Sequence, residues 1–552
     1  MKISWAQLNF HIGNFDANAN KIIEQIQLAK SNSADLIVFP ELSLCGYPPL
    51  DFLESNHFIE ECIKSIALIA IQCDGIAAII GAPAINKNET GKRLYNAAYF
   101  IENKRVAKII KKTLLPNYDV FDEYRYFEPN SDFEIIEFKG HRIALTICED
   151  LWDDQDETFT PLNHAKMYTN SPMQELMNLK PDCIINIAAS PFSYAQHQIR
   201  SKVLQRNAIK YQLPLIYVNH CGAQTELVFD GGSCAYTKEG ALIALAPFFK
   251  EDCQSVDLFE TNAPAAQKIL LTTKNELIVD ALVCGIRDYF HKQNFTKAIL
   301  GLSGGIDSAL TLVLAVTALG KENVMAVLLP SKFSSDHSIN DALALVNNLG
   351  CQHQIVPIED NFQSLLKTLE PSFEGTSFGL AEENIQARLR GVLLMALSNK
   401  FGSILLNTSN KSEMAVGYGT LYGDMCGGIA VIGDVYKTEV YQLCEYINRE
   451  SEIIPLNTIV KPPSAELRPN QKDSDSLPEY DILDSVLFQY IENKKSVEEI
   501  CELGFDESLV KRIINMVNKN EYKRKQSAPV IRVSPKAFGM GRRMPIVANY
   551  NC

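Results

Sequence analysis

The seven residues Ser303-Gly-Gly-Ile-Asp-Ser-Ala309 constrain this chain more than any other run in it. They follow the short apolar segment Ala298–Leu302 and lead into an apolar stretch that reaches Leu319, which places them at a strand-to-helix turn. Two adjacent glycines let a backbone turn tightly and aim several N–H groups at one point, and the first turn of the helix adds its positive end. A turn of this kind holds an anion and belongs to a parallel sheet flanked by helices. Ser303 and Ser308 add hydroxyl donors, and Asp307 supplies the carboxylate oxygen that a hard cation such as Mg²⁺ prefers. The run is not a Walker A loop, because Gly-Lys-Ser/Thr is missing. Around it the pattern predicts a helix over Asn275–Lys292, a strand over Val324–Leu329, a helix over Asn340–Leu349 and a strand over Gln354–Ile358. The expected fold of this half is a doubly wound parallel sheet.

A chain of 552 residues is too long for a single core. The first half has its own strand–helix alternation, with strands expected at Lys2–Asn9, Asp35–Pro40, Gly75–Ala82, Leu94–Ile101, Arg142–Cys148, Cys183–Ile187 and Leu215–Asn219. Several run straight into a polar or reactive residue (Glu41, Cys148, Ser190), which is where α/β proteins build their sites. The rhythm breaks over Glu260–Lys274, where Thr-Asn-Ala-Pro-Ala-Ala-Gln intervenes. This divides the chain into a domain at 1–260, a linker at 261–274 and a domain at 275–552.

Composition narrows the setting. An apolar fraction of 46% and a charged fraction of 21% suit an ordinary globular protein. Met1–Phe15 has no apolar core of a signal peptide, and no later run approaches the roughly 18 apolar residues of a membrane span. The 14 cysteines are scattered without a Cys-x-x-Cys pair, as expected of free thiols in a reducing cytoplasm rather than of a structural zinc site. A net charge of −14 disfavours a nucleic-acid partner, since phosphate neutralisation needs a basic face. The expectation is a cytoplasmic protein with neither a membrane nor a nucleic acid as partner.

Three segments of the first half carry chemistry: Phe39-Pro-Glu41; Lys112-Thr-Leu-Leu-Pro116, continuing to Glu123; and Ile147-Cys-Glu-Asp-Leu-Trp152. A cysteine becomes a nucleophile when a base takes its proton, a buried carboxylate can be that base, and a cationic lysine stabilises the oxyanion that follows. Singly, each is an ordinary core, cap or surface residue. In this order they resemble the nitrilase/amidase superfamily over roughly residues 1–260, which implies an αββα sandwich. The resemblance implies Glu41 as general base, Lys112 as oxyanion stabiliser, Cys148 as nucleophile and Glu123 as auxiliary acid. It also implies that Tyr118, Ser190 and position 196 hold glutamine, and Glu226-Leu-Val-Phe-Asp-Gly-Gly232 matches a late signature of the family. Two residues depart from the glutaminase pattern. Gln196 stands where a Lys is usual, with His197 beside it as another donor, and Thr225 replaces a usual Asp.

The Ser303–Ala309 run resembles the PP-loop of N-type ATP pyrophosphatases, which adenylate a substrate and release pyrophosphate. Downstream stand Asn384-Ile-Gln-Ala-Arg-Leu-Arg390, Asn407-Thr-Ser-Asn-Lys-Ser-Glu413, Gly417-Tyr-Gly-Thr-Leu-Tyr-Gly-Asp424-Met-Cys-Gly-Gly428 and Lys461-Pro-Pro-Ser-Ala-Glu-Leu-Arg-Pro469. In that order they resemble the NAD synthetase family over roughly 275–552, and Gly428 is in keeping with its glutamine-dependent branch. The resemblance implies ATP contacts at Ser303, Gly304, Gly305, Ile306, Asp307, Ser308, Ala309, Thr408, Lys437 and Ser464. It implies deamido-NAD contacts at Asn384, Arg388, Glu413, Asp424 and Lys523, Mg²⁺ at Asp307 and Glu413, and a closing loop at Gln471–Leu477. The implied substrates are ATP, deamido-NAD and L-glutamine, and the resemblance implies a homo-oligomeric assembly. Because free ammonia at neutral pH is nearly all protonated and non-nucleophilic, a channel between Cys148 and the PP-loop is expected to carry it. Two other readings fit parts of the chain. One is another amidating or thiolating PP-loop enzyme, for instance one acting on tRNA. The other is an ammonia-only synthetase with a non-catalytic N-terminal module.

Overall fold

Short, near-continuous apolar runs in the first half, buried on both faces at the centre, build two six-stranded sheets that share one core. In the computed structural model, which describes residues 1–153, 167–259, 272–469 and 471–548, the chain divides into two compact units, Met1–Leu271 and Thr272–Cys552. The segment expected as a linker lies outside the described residues up to 271.

In the first unit one sheet runs in the order Asp252–Asp257, Lys2–Gln7, Leu36–Val38, Ala77–Ile85, Leu94–Glu102, Arg105–Lys111. Its second, third and fourth strands are parallel, and the rest pair antiparallel. The other sheet runs Leu242–Leu245, Cys234–Tyr236, Leu215–Asn219, Cys183–Ala188, His141–Ile147, Ile136–Phe138, again with parallel pairing at its centre. Ile3 and Trp5, Leu36 and Val38, and Ala98 and Phe100 of the first sheet meet Ile143, Leu145 and Ile147 of the second in one buried cluster. Helices Phe15–Ser31 and Asn56–Gln72 cover the outer face of the first sheet, and Gln196–Tyr211 lies on the second. The architecture is the expected αββα sandwich.

The second unit holds a five-stranded, all-parallel sheet in the order Gln352–Ile355, Val324–Leu328, Ala298–Gly301, Ile404–Asn407, Ile429–Ala430. The chain order reverses between Ala298–Gly301 and Ile404–Asn407, so a ligand crevice is expected outside the carboxyl ends of those two strands. Helix Asp336–Leu349 begins four residues before its expected start, because the Ser335 side chain caps it by accepting from the Ser338 N–H. The strand expected at Gln354–Ile358 is Gln352–Ile355; Pro357 brings no N–H to a ladder, and Ile358 already caps the next helix. Helices Tyr480–Ile491 and Glu507–Lys519 close a separate cluster of Leu483, Val486, Leu487, Val510, Ile513, Ile514 and Val517. Among the described residues no helix is long and apolar enough to cross a membrane.

Candidate active sites

Glu41, Lys112, Glu123 and Cys148 arrive at one buried place from four separate segments. Lys112 lies just past the strand Arg105–Lys111 and is 0% exposed. Its Nζ donates to Glu41 Oε1 at 2.6 Å and to Glu123 Oε1 and Oε2 at 2.9 and 2.8 Å. Burial alone would strip the proton from this lysine, but Glu123 and Glu41 outweigh it and hold the group firmly cationic. Cys148 follows the last residue of His141–Ile147 and heads a short turn to Leu151 with φ of +44°, a conformation rare for a residue with a Cβ. Burial, reinforced by Glu41, pushes its thiol well above the ordinary range, with Lys112 opposing. At neutral pH the sulfur is therefore a thiol that needs a base beside it.

The surroundings fix these groups. Asn96 donates to Glu41 Oε1 at 2.6 Å and to Glu123 Oε2 at 3.2 Å, Tyr47 donates to Glu123 Oε1 at 2.9 Å, and the Ala189 N–H donates to Glu41 Oε2 at 2.9 Å. Asp150 accepts from the N–H groups of Thr113, Leu114 and Ile147 at 2.8–3.0 Å, so one carboxylate ties the lysine segment to the cysteine strand. Glu149 accepts from the hydroxyls of Tyr118 and Tyr168, both at 2.9 Å, and burial pushes its carboxyl up to about 7. Ser190 exchanges hydrogen bonds with Asn219, its N–H donating at 2.9 Å and its carbonyl accepting at 3.3 Å. Gln196 opens helix Gln196–Tyr211, with its N–H on the Ser193 carbonyl at 2.9 Å. His197 packs edge-on against Phe248, and burial and then Arg200 lower its basicity. Thr225 takes φ of +54° in the turn between Cys221–Gln224 and Leu227–Asp230, and Asp230 pairs with the buried Arg200 at 2.7 and 2.9 Å.

In the second unit the Gly-rich turn lies where the sheet order reverses. Gly304 has φ of +81°, and a Cβ there would stand 2.1 Å from the Ser338 carbonyl oxygen, so no other residue fits. The Ser303 hydroxyl accepts from the Gly305 N–H at 3.2 Å, and the Ser308 hydroxyl donates to the Gly305 carbonyl at 3.0 Å. Gly305 caps helix Ile306–Leu319. A cavity of about 320 Å³ opens here, lined by Ser303, Gly305, Ile306, Asp307, Thr408, Glu413, Asp424, Lys437 and Ser464 among others. Lys437 is ion-paired with Asp307 and lies 3.7 Å from Glu413, while Asn410 donates to Asp307 at 2.8 Å. Burial and the nearby Asp307 push the Glu413 carboxyl up to about 8. Gly304, Ser308 and Ala309 lie outside the lining and shape the turn from behind.

Asn384, Arg388 and Lys523 are also off the cavity wall and gather on the 417–428 run. Asn384 accepts from the Thr420 hydroxyl at 2.7 Å, exposed Arg388 donates to the Leu421 carbonyl at 3.2 Å, and Lys523 donates to the carbonyls of Gly417 and Gly419 at 2.7 and 2.8 Å. Asp424, in the same run, accepts from the Thr420 N–H. The arginine on the cavity wall is Arg390, whose Nε donates to the Leu329 carbonyl at 3.1 Å. Helical spacing carries that signal: Ala387, Arg390, Gly391 and Leu394 make one face, and Arg388 points off it. Asp473, in the stretch read as a closing loop, is buried and accepts from Tyr418 and Tyr480 at 3.1 and 3.0 Å.

The cavity suits a cation. Asp307, Glu413, Asp424 and Asp473 line it with Lys437 among them, and a carboxyl forced up to about 8 marks a place short of positive charge. Among the described residues no three His, Cys, Asp or Glu side chains form a closed metal cage. Mg²⁺ is commonly held by one or two carboxylates together with phosphate oxygens, which Asp307 and Glu413 fit.

Comparison with known proteins joins the two halves. The carbon-nitrogen hydrolase family matches residues 2–262, and the NAD synthase family matches residues 278–527. A glutamine-dependent NAD(+) synthetase of Synechocystis sp. is 46% identical over 557 residues, spanning 100% of this chain and 99% of the relative. The chain belongs to the glutamine-dependent NAD(+) synthetase family. A member from Thermotoga maritima is 40% identical over 586 residues, again with 100% of this chain and 99% of the relative covered. The solved glutamine-dependent NAD+ synthetase of Acinetobacter baumannii, in complex with ADP, superposes with a TM-score of 0.76 at 39% identity over 99% of this chain and 98% of that one. The family member from Cytophaga hutchinsonii, at 20% identity and a TM-score of 0.82 over 99% and 98% of the two chains, shares the fold.

Proposed function

We propose that this family member amidates deamido-NAD to NAD, drawing its nitrogen from glutamine and its driving force from ATP. The observation that carries the reading is the presence in one chain of a buried Glu41–Lys112–Cys148 cluster and a Gly304–Asp307–Lys437 cavity at the switch point of a parallel sheet. In the first unit Glu41 takes the Cys148 proton as sulfur bonds to the side-chain carbonyl carbon of glutamine. The carbonyl electron pair moves onto oxygen, where Lys112 stabilises it. Collapse breaks the C–N bond, and the departing nitrogen takes the proton from Glu41 and leaves as ammonia. Water then attacks the thioester with Glu41 accepting its proton, and glutamate and the thiol are regenerated.

In the second unit the nicotinate carboxylate of deamido-NAD attacks the α-phosphorus of ATP and pyrophosphate departs. Ammonia then attacks the acyl carbon, and AMP leaves with its bonding pair. The turn residues on the cavity wall, Ser303, Gly305 and Ile306, with Lys437 and Thr408, bind and orient the phosphates. Asp307 and Glu413 would hold Mg²⁺, which when bound neutralises phosphate charge. Arg390, on the cavity wall, adds a fork of donors. The 417–428 run, with Asn384, Arg388, Asp424 and Lys523 around it, holds deamido-NAD.

The test is NAD formation from deamido-NAD, ATP and Mg²⁺ with either glutamine or ammonium, counting AMP and pyrophosphate. Cys148→Ala should cut glutamine-supported synthesis by at least about a thousandfold while ammonium-supported synthesis stays within about twofold. Equal loss from both sources, or unchanged glutamine use, refutes the reading.

A further inference from the structure

We infer that Asn96 is a positioning residue that leaves a single oxygen in the first unit, Oε2 of Glu41, able to take the Cys148 proton. This rests on the proposed role of Glu41 as base. A carboxylate oxygen accepts in its plane through two lone pairs. Glu41 Oε1 is filled by Lys112 Nζ at 2.6 Å and Asn96 Nδ2 at 2.6 Å. Glu123 Oε1 is filled by Lys112 at 2.9 Å and Tyr47 Oη at 2.9 Å, and Glu123 Oε2 by Lys112 at 2.8 Å and Asn96 at 3.2 Å. Glu41 Oε2 accepts only from the Ala189 N–H at 2.9 Å among the described residues, which leaves one lone pair open. Four carboxylate oxygens thus offer one vacancy.

Asn96 closes two of the places where the proton would otherwise go. Its amide is oriented by chemistry: facing the oxygens of two carboxyl groups that both accept from Lys112, the NH2 edge makes the hydrogen bonds. The other edge, Oδ1, is buried without a partner. An orphaned amide oxygen is a cost to the fold, so the side chain is placed for its two donors. Its main chain serves the same cluster, since the Lys112 N–H donates to the Asn96 carbonyl at 2.8 Å. Without the side chain, Glu41 Oε1 and Glu123 Oε2 each gain a free lone pair, and the proton spreads over three positions. Two of those are tied to Lys112. Proton transfer from sulfur then slows, and so does return of the proton to the leaving nitrogen.

The experiment uses the full chain carrying Asn96→Leu, which keeps side-chain volume and removes both donors. Glutamine hydrolysis should lose about ten- to hundredfold in kcat, with KM for glutamine within about threefold, because Asn96 lies behind Glu41 and Lys112. Alkylation of Cys148 by a glutamine-like chloroketone should slow by a similar factor. Ammonium-supported NAD formation should hold within about twofold and reports that the chain is folded. If Asn96→Leu is insoluble, the isosteric Asn96→Asp replaces it, exchanging the NH2 group and both of its donors for an acceptor oxygen that faces both carboxylates, with the same losses expected. Unchanged kcat, a rise in KM alone, or parallel loss of ammonium-supported activity overturns the inference. Because Cys148→Ala separately tests whether this centre hydrolyses glutamine, a normal kcat in Asn96→Leu would sink the role of Asn96 and leave the wider reading intact.

Discussion

The two units place one lysine among carboxylates in opposite ways. Around Lys112 the geometry is finished: two carboxylates within 2.6–2.9 Å, both lined with further donors, and every group buried. Around Lys437 it is not: Asp307 and Glu413 share the cation with Asp424 and Asp473 nearby, an open cavity lies beside them, and Glu413 is forced up to about 8. The first site is assembled before its substrate arrives, as suits covalent chemistry on a small amide. The second is balanced when a cation and phosphates enter, as suits a site whose substrate brings its own charge.

The largest effect that separates the two is on the second site. Asp307→Asn removes an anion that pairs with Lys437 and that the proposed function assigns to Mg²⁺. NAD formation should fall by roughly a hundred- to a thousandfold from glutamine and from ammonium alike, while glutamine hydrolysis assayed without nucleotide is unaltered. Chelating divalent cations from the wild-type protein should reproduce that split. Loss of nucleotide-free glutamine hydrolysis in either case would break the contrast.

A smaller effect sharpens the account of the cavity. Arg390→Ala should lower kcat/KM for ATP by about ten- to hundredfold, since a charged donor to phosphate or ribose is lost. Arg388→Ala should change the same parameter by less than about threefold, its side chain being exposed and bonded to the Leu421 carbonyl. The reverse order would place the wrong face of helix Leu380–Phe401 on the nucleotide.

These two arginines show how far sequence reaches. Glu41, Cys148 and the Ser303–Ala309 turn were legible because each follows an apolar run, where α/β folds present their chemistry. Lys112, preceded by Lys111, was legible only through the resemblance of its segment to the nitrilase/amidase pattern. The central strands of the first unit's two sheets were read from their apolar runs, whereas Arg105–Lys111, Ile136–Phe138, Cys234–Tyr236, Leu242–Leu245 and Asp252–Asp257 were not. Asn96 was not legible, since it lies inside the strand Leu94–Glu102 and reads there as an interruption of apolar residues. Only the register that sets Ala97 against Lys111 brings it beside Lys112. Asp150 and Tyr47 were missed for a similar reason: Asp150 joins its own strand end to the backbone of Thr113 and Leu114, and Tyr47 bonds to Glu123, all distant in the chain. Arg390 was within reach, because helical spacing groups it with Ala387, Gly391 and Leu394 rather than with Arg388.

The smallest effect tests the charge deficit itself. Burial and Asp307 raise the Glu413 carboxyl from an ordinary 4.5 to about 8. Between those values the folded chain keeps a proton that the unfolded chain has lost, so the contribution of Glu413 to stability is full below pH 4.5 and is lost as pH rises through 8. A bound cation needs the ionised carboxylate, so Mg²⁺–ATP binding at pH 7 should expel a proton from Glu413. Calorimetric titrations in two buffers of different ionisation enthalpy count that proton, and the difference from Glu413→Gln removes the contribution of ATP itself. Wild type should release about half to one proton more than the variant, and its affinity for Mg²⁺–ATP should rise more steeply toward pH 8. Equal proton release by the two proteins would mean that Glu413 is already ionised in the empty cavity. The second site would then be as complete before binding as the first, and the contrast between the units would rest on Asp307 and Lys437 alone.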